Sequence, residues 1–105
     1  MINALKGMKD LLDKDAYYYE KVIQTCEEVV KNYGFTFINT PHLELCILFK
    51  RSVGESSDIV GKEMYEFIDK GENHVCMRPE GTAGVVRAYI EKKLDKNTSV
   101  KRWFY

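Results

Sequence analysis

The chain has 105 residues, of which 45% are hydrophobic and 30% are charged, a composition typical of one ordinary globular domain or part of one. Sixteen basic and sixteen acidic residues cancel, which argues against a strong bulk charge directed at nucleic acid or an anionic membrane. No apolar run is long enough to cross a bilayer and the first residues lack the apolar core of a signal peptide, so the sequence predicts a cytoplasmic protein with no membrane partner.

The first predicted element is a helix from about Asp13 to Tyr33, ended by Gly34. Apolar residues recur at steps of three and four, which predicts one buried face. Glu27 stands four residues before Lys31, which predicts a surface ion pair. The apolar positions are Tyr19, Val22, Ile23, Cys26, Val29, Val30 and Tyr33.

Shorter elements are predicted in the middle of the chain. Aromatic and β-branched residues predict a strand over residues 35–39, closed by Pro41. Residues 43–51 favour a short strand into Leu45, followed by a helical turn through Leu48 and Phe49. Residues 53–61, with glycine and serine, predict a loop or a short helix.

A hairpin is predicted next, with strands over residues 64–69 and 74–78 and a turn over residues 70–73. A second helix is predicted from about Thr82 to Leu94, then a polar turn over residues 95–99 and a strand from Val100 to the last residue. The order of the elements predicts an α+β fold with a largely antiparallel sheet. The predicted buried side of the second helix comprises Val85, Val86, Tyr89, Ile90 and Leu94.

The three cysteines, Cys26, Cys46 and Cys76, are widely spaced and odd in number, which predicts reduced and mostly buried thiols rather than disulfides. Neither His42 nor His74 stands at a ligand spacing from a cysteine, so no metal site is predicted.

The junction over residues 78–85 carries the strongest functional signal. Pro79 should stop the strand at Arg78, Gly81 permits close approach of a ligand, and Glu80 offers a carboxylate to a cation. Alternatively, Thr82 only caps the following helix and Glu80 only favours its positive end. The local sequence leaves both interpretations open, and it leaves Arg78 open between a ligand contact and a structural ion pair.

Several collinear blocks resemble one family. The set Gly34, Phe35, Ile38, Pro41 and Glu44 behind a long helix is similar to motif 1 of the class II aminoacyl-tRNA synthetases. Residues 6–10, 54–67, 78–83 and 102–105 are similar to four further blocks of the histidyl-tRNA synthetase family, in the same order. The resemblance covers nearly the whole chain.

The resemblance implies that residues 1–105 form the N-terminal portion of a class II catalytic domain, with a motif 1 region at 13–44 and a histidine-recognition segment at 78–85. It implies that Glu80 and Thr82 contact the α-ammonium of histidine, with Gly81 lining the same wall. The chain ends on aromatic residues, before the family's motif 2 arginine. We therefore expect no catalytic residue in it, and we expect it to be inactive alone.

The family reaction joins histidine to ATP, with Mg²⁺, to give histidyl-adenylate, and then transfers the histidyl group to tRNA(His). The resemblance further implies a homodimer formed through the motif 1 region. The alternative is the synthetase-like regulatory subunit of histidine biosynthesis, which charges no tRNA; the complete junction at Glu80 to Thr82 favours the synthetase.

Overall fold

A computed structural model describes residues 1–52, 63–96 and 102–105 of the chain. Three α-helices and five strands lie in these ranges, and the described chain divides into two compact units. One unit holds residues 1–36 with Phe104, and the other holds residues 37–103 with Tyr105. In chain order the elements are α1 (Asp13–Asn32), β1 (Thr36–Phe37), β2 (Leu43–Leu45), α2 (Cys46–Ser52), β3 (Glu66–Ile68), β4 (His74–Met77), α3 (Thr82–Glu91) and β5 (Trp103–Phe104).

Helix α1 dominates the first unit and ends as the sequence predicts. Gly34 has a φ of +80°, and its N–H donates to Lys31 O at 3.0 Å while the Phe35 N–H donates to Val30 O at 3.1 Å. These paired bonds are the Schellman arrangement that glycine permits. The predicted ion pair is also present, with Lys31 Nζ 3.7 Å from Glu27 Oε2.

The predicted burial of the apolar face of α1 is wrong in this structure. None of its side chains is buried, and Val22 and Ile23 are 60% and 42% exposed. A periodic apolar stripe shows which face of a helix can be buried, but burial also requires an element that packs on that face.

A three-stranded antiparallel sheet forms the frame of the second unit, in the order β2-β4-β3. Cys76 of β4 pairs with Glu44 on one side and with Glu66 on the other. Because side chains alternate across a sheet, these three positions share one face. β1 and β5 make a separate two-stranded sheet.

The small core lies on the face of the sheet that carries Cys76. Cys46 and Phe49 of α2 and Cys76 of β4 are 0–1% exposed, and Ala83 of α3 is 8% exposed. Leu48 and Met64 pack against this cluster. The core therefore fixes both ends of the chain segment that links β4 to α3.

The predicted buried side of the second helix is only partly confirmed, because Val85, Tyr89 and Leu94 are half-buried while the most buried residues of α3 are two others. Ala83 and Gly84 are buried, whereas Val86 and Ile90 are 51% and 68% exposed. A side chain at position 84 would begin 3.1 Å from Thr40 Oγ1, so the smallest residues mark the face where the helix approaches its neighbours. α3 ends at Glu91, and the predicted continuation to Leu94 is instead a 3₁₀ turn over Leu94–Lys96.

The α+β class and the antiparallel hairpin of β3 and β4 are confirmed. The strands predicted at 35–39 and 100–105 are shorter, since β1 covers Thr36–Phe37 and β5 covers Trp103–Phe104. The loop or helix predicted at 53–61 lies outside the described residues, as does most of the turn at 95–99. Within the described ranges no helix is both long and apolar enough to span a membrane.

Candidate functional site

The junction between β4 and α3 is built as its sequence predicts. β4 ends at Met77, and the Arg78 N–H donates to His42 O at 2.9 Å, one residue past the strand. Pro79 lacks an N–H and cannot extend this ladder. The first helical bond of α3 follows soon after, from the Val85 N–H to Gly81 O at 3.3 Å.

The Glu80 carboxylate is held by the first two amides of α3. Its Oε2 accepts the Thr82 N–H at 2.6 Å and its Oε1 accepts the Ala83 N–H at 2.9 Å. The capping role predicted for Thr82 is therefore wrong, because Thr82 is the first residue of the helix and Glu80 satisfies its free amides. Each carboxylate oxygen keeps a further lone pair for another donor.

The Thr82 hydroxyl and the Gly81 backbone both meet the last residue of the chain. Thr82 Oγ1 lies 3.4 Å from the Tyr105 hydroxyl oxygen. A β-carbon at position 81 would lie 2.2 Å from Cε2 of the Tyr105 ring. Gly81 thus permits this aromatic ring to lie directly against the backbone, and the close approach of a ligand there stays a prediction.

A groove of about 550 Å³ runs along α3 beside the junction. Glu80 and Thr82 contribute to its lining, together with exposed apolar side chains of α3 and two further charged residues of that helix. The lining residues are Leu48, Glu80, Thr82, Ala83, Val86, Arg87, Ile90 and Glu91. A ligand with a cationic group and an apolar or aromatic body fits such a surface.

Arg78 makes structural contacts, the second of the two roles that its sequence position leaves open. Its Nη1 donates to Thr40 O at 3.2 Å and to Thr40 Oγ1 at 3.0 Å, and Thr40 is 6% exposed. The structural ion pair considered from the sequence is replaced by hydrogen bonds to neutral oxygens. These bonds tie the start of the junction to the segment before β2.

Arg87 of α3 is the residue that sequence reasoning missed. Its Nε and Nη2 donate to Glu44 Oε1 at 3.1 and 3.0 Å, and its Nη1 also bonds to Glu91 Oε2. Glu44 is 8% exposed, so its carboxylate depends on this partner. The four-residue spacing of Arg87 and Glu91 predicts their ion pair on a helix. No local sequence pattern predicts the contact between Arg87 and Glu44, which are far apart in the chain.

A second cluster of polar side chains includes Cys46 of the core and two residues on the face of the sheet that carries Cys76. Cys46, Glu66 and His74 each place one possible ligand atom within 4.8 Å of the others. His74 Nε2 lies 3.0 Å from Glu66 Oε2, while His42 is exposed and contributes only its carbonyl to the junction.

The cysteines are all free thiols, as predicted, with Cys46 and Cys76 buried and Cys26 exposed. Burial and the neighbouring Cys46 raise the pKa of the Cys76 thiol to about 12. Burial and the Glu66 carboxylate raise the pKa of Cys46 as well. Both thiols stay protonated near neutral pH, which argues against either as a nucleophile.

Comparison with known proteins identifies what the junction resembles. A family model described as histidyl-tRNA synthetase matches residues 7–105. A curated protein of Campylobacter jejuni named histidine–tRNA ligase is 97% identical over 105 residues, which are all of this chain and 26% of that protein. The chain thus spans about a quarter of the length of the curated relatives it matches.

Solved structures agree on the fold. The apo histidyl-tRNA synthetase of Staphylococcus aureus superimposes with a TM-score of 0.81 at 36% identity, over 95% of this chain and 23% of its own. A Bacillus halodurans structure, titled ATP phosphoribosyltransferase regulatory subunit/histidyl-tRNA synthetase, gives a TM-score of 0.77 over 98% of this chain and 26% of its own. At 24% identity the latter shows a common fold and no more.

Proposed function

The chain belongs to the histidyl-tRNA synthetase family, and from that premise we propose that it supplies the amino-acid-recognition segment of a histidine–tRNA ligase. In the proposed reaction histidine is activated by ATP, entering as its Mg²⁺ complex, and the histidyl group is then transferred to tRNA(His). The setting proposed for this reaction is the cytoplasm. Glu80, Gly81 and Thr82 bind and orient histidine in this scheme.

The observation that carries the proposal is the fixed carboxylate of Glu80. Two backbone amides hold it at 2.6 and 2.9 Å, so it is already ordered before a ligand arrives. Thr82 lines the same groove, and its hydroxyl is a neutral acceptor. An α-ammonium needs such a carboxylate and one or two neutral acceptors in fixed geometry.

The alternative, a regulatory subunit of histidine biosynthesis, has less support. The relatives with 96–97% identity carry the name of the ligase, whereas the solved structure whose title includes a regulatory subunit shares only the fold at 24% identity. Charging of tRNA(His) by the protein that carries this chain would decide between the two.

The direct test measures histidine binding by the shifts of the Thr82 and Ala83 amide signals in ¹⁵N NMR spectra. Histidine should shift both amides, and imidazolepropionate, which lacks the α-ammonium, should not. Glu80→Gln should weaken histidine binding by about 10- to 100-fold, the cost of a charge-assisted hydrogen bond. Glu28→Gln, an exposed change on α1, is the matched control and should bind as the unmodified chain.

Equal shifts with imidazolepropionate, or unchanged binding by Glu80→Gln, would contradict the assignment of Glu80. Thr82→Val gives a second, smaller test, since it removes the neutral acceptor and keeps the size of the side chain.

We also propose that the chain forms a homodimer through the region of residues 13–44. Support comes from α1, whose apolar stripe is exposed along its length in the described structure. Exposed apolar surface of this kind marks an interaction site.

A further inference from the structure

We propose that Cys46, Glu66 and His74 form a binding site for a borderline divalent metal ion such as Zn²⁺. The sequence predicts no metal site, because no cysteine and histidine stand at a ligand spacing. The three side chains come instead from α2, β3 and β4, and the fold brings them together.

The sheet register explains the cluster. Glu66 pairs with Cys76 and Ile68 pairs with His74, so Glu66 and His74 project from adjacent strands on one face. Cys46 begins α2 directly after β2, the strand on the opposite side of β4. The core holds α2 and β4, and strand pairing holds β3 beside β4, so a thiol, a carboxylate and an imidazole lie within 4.8 Å of one another.

The distances fit a tetrahedral ion after small adjustments. Zinc bonds of about 2.0–2.3 Å place tetrahedral ligand atoms roughly 3.3–3.7 Å apart. His74 Nε2 and Glu66 Oε2 stand 3.0 Å apart, and Cys46 Sγ is within 4.8 Å of both. Rotation of the cysteine and glutamate side chains can close the remaining differences.

The environment permits entry of an ion from one side. The His74 and Glu66 side chains are 49% and 30% exposed, whereas Cys46 is 1% exposed, so the buried thiol closes the inner wall and solvent reaches the outer one. A fourth position remains for water. Lys50 is the opposing charge, but its Nζ lies 3.7 Å from Glu66 Oε1 and leaves Oε2 to the metal.

Binding changes the protonation of two ligands. The Cys46 thiol gives its proton to solvent as the sulfur–metal bond forms, and His74 binds through an unprotonated Nε2 with its proton on Nδ1. The ligand set of one thiolate, one imidazole and one carboxylate favours zinc over the hard ions Mg²⁺ and Ca²⁺.

The test is titration of the complete chain with Co²⁺, whose bond to a thiolate gives a charge-transfer absorption band in the near ultraviolet. We expect the band to saturate at one equivalent, to disappear when Zn²⁺ is added, and to persist with excess Mg²⁺. Zn²⁺ should also raise the midpoint of thermal unfolding, because it binds only the folded cluster tightly.

Variants assign the ligands. Cys46→Ser should abolish the band, and His74→Ala and Glu66→Gln should each weaken Co²⁺ binding by more than about tenfold. Cys26→Ser and His42→Ala are the matched controls at exposed positions and should leave the titration unchanged.

A missing band, a band that survives Cys46→Ser, or a band lost in Cys26→Ser would overturn the proposal. Circular dichroism checks that each variant is folded. If the buried change Cys46→Ser prevents folding, the exposed changes at His74 and Glu66 decide, and unweakened binding by both would equally reject the site.

Discussion

Glu80 is the residue on which the proposed function depends, and its carboxylate is ordered before any ligand binds. The hydrogen bonds to Thr82 and Ala83 remove the rotamer freedom that a free glutamate would lose on binding. The two roles that the sequence leaves open for Glu80, favouring the positive end of the helix and contacting a ligand, are compatible for this reason. The carboxylate that accepts the helix amides is a preorganised acceptor, and a ligand that binds it causes little further loss of side-chain entropy.

The three cysteines differ in burial, and the two buried thiols have raised pKa values. Near neutral pH the raised pKa values of Cys46 and Cys76 leave very little thiolate, and burial blocks access to both sulfurs. Cys26 is exposed on α1.

We therefore expect Ellman's reagent to modify Cys26 rapidly in the native metal-free chain, and Cys46 and Cys76 at least about a hundredfold more slowly. In denaturant all three thiols should react at similar, fast rates. Cys26→Ser should eliminate the fast phase; a fast phase that remains in this variant would show that a buried thiol is accessible.

At the scale of elements, α3 is attached to β2 through Arg87 and Glu44. Glu44 is 8% exposed and receives two hydrogen bonds from one guanidinium, which holds the helix in place just beyond the junction of β4 and α3. Gly84 permits α3 to lie this close to Glu44, since a β-carbon at position 84 would lie 3.3 Å from Glu44 Oε1.

Arg87→Ala should lower the free energy of unfolding by about 2–3 kcal/mol, because it leaves a nearly buried carboxylate without its partner. Urea unfolding measures the loss. Lys21→Ala, which removes one exposed positive charge from α1, should change stability by less than about 0.5 kcal/mol. Equal effects of the two changes would show that the Glu44 carboxylate does not depend on Arg87.

The hairpin of β3 and β4 has a local acidic residue that closes its turn. Asp69 Oδ1 accepts the N–H groups of Asn73 at 2.8 Å and of Gly71 at 2.9 Å. The hydrogen bonds from the Asn73 backbone and side chain lower the pKa of Asp69 from its ordinary value.

A lowered folded-state pKa makes ionised Asp69 a source of stability above the ordinary carboxyl pKa, and that stability disappears as pH falls through the folded-state value. We expect Asp69→Asn to melt at a lower temperature than the unmodified chain near neutral pH, with the difference shrinking as pH falls below the ordinary carboxyl pKa. Asp10→Asn, at an exposed position, is the control and should keep the pH dependence of the unmodified chain. A constant difference at every pH would rule out the linkage.

At the scale of the whole molecule, the sequence was informative where local chemistry decides the structure. The bounds of α1, the change from β2 to α2 and the hairpin follow from periodicity, glycine and turn residues, and the structure agrees with them. Burial was harder to predict. The faces of α1 and α3 depend on which elements pack on them, and the contact of Arg87 with Glu44 joins residues distant in sequence.

Self-association is the prediction that belongs to this scale. Large apolar side chains are exposed on α1 and on the sheet face opposite Cys76, where Leu45 and Met77 are 51% and 52% exposed. We expect sedimentation velocity over a concentration series to show species larger than a monomer. Val22→Lys together with Ile23→Glu should shift the population toward the monomer if α1 forms the interface. A monomeric mass at every concentration would contradict the proposed dimer.

The donors that hold Glu80 belong to the main chain, and this makes the site resistant to mutation elsewhere. A carboxylate that relies on an arginine loses its partner when one codon changes, but almost every residue at positions 82 and 83 supplies the same N–H. Proline is the exception, and the first position of a helix tolerates proline well. The side chains at these two positions therefore do not set the direction of the Glu80 carboxylate.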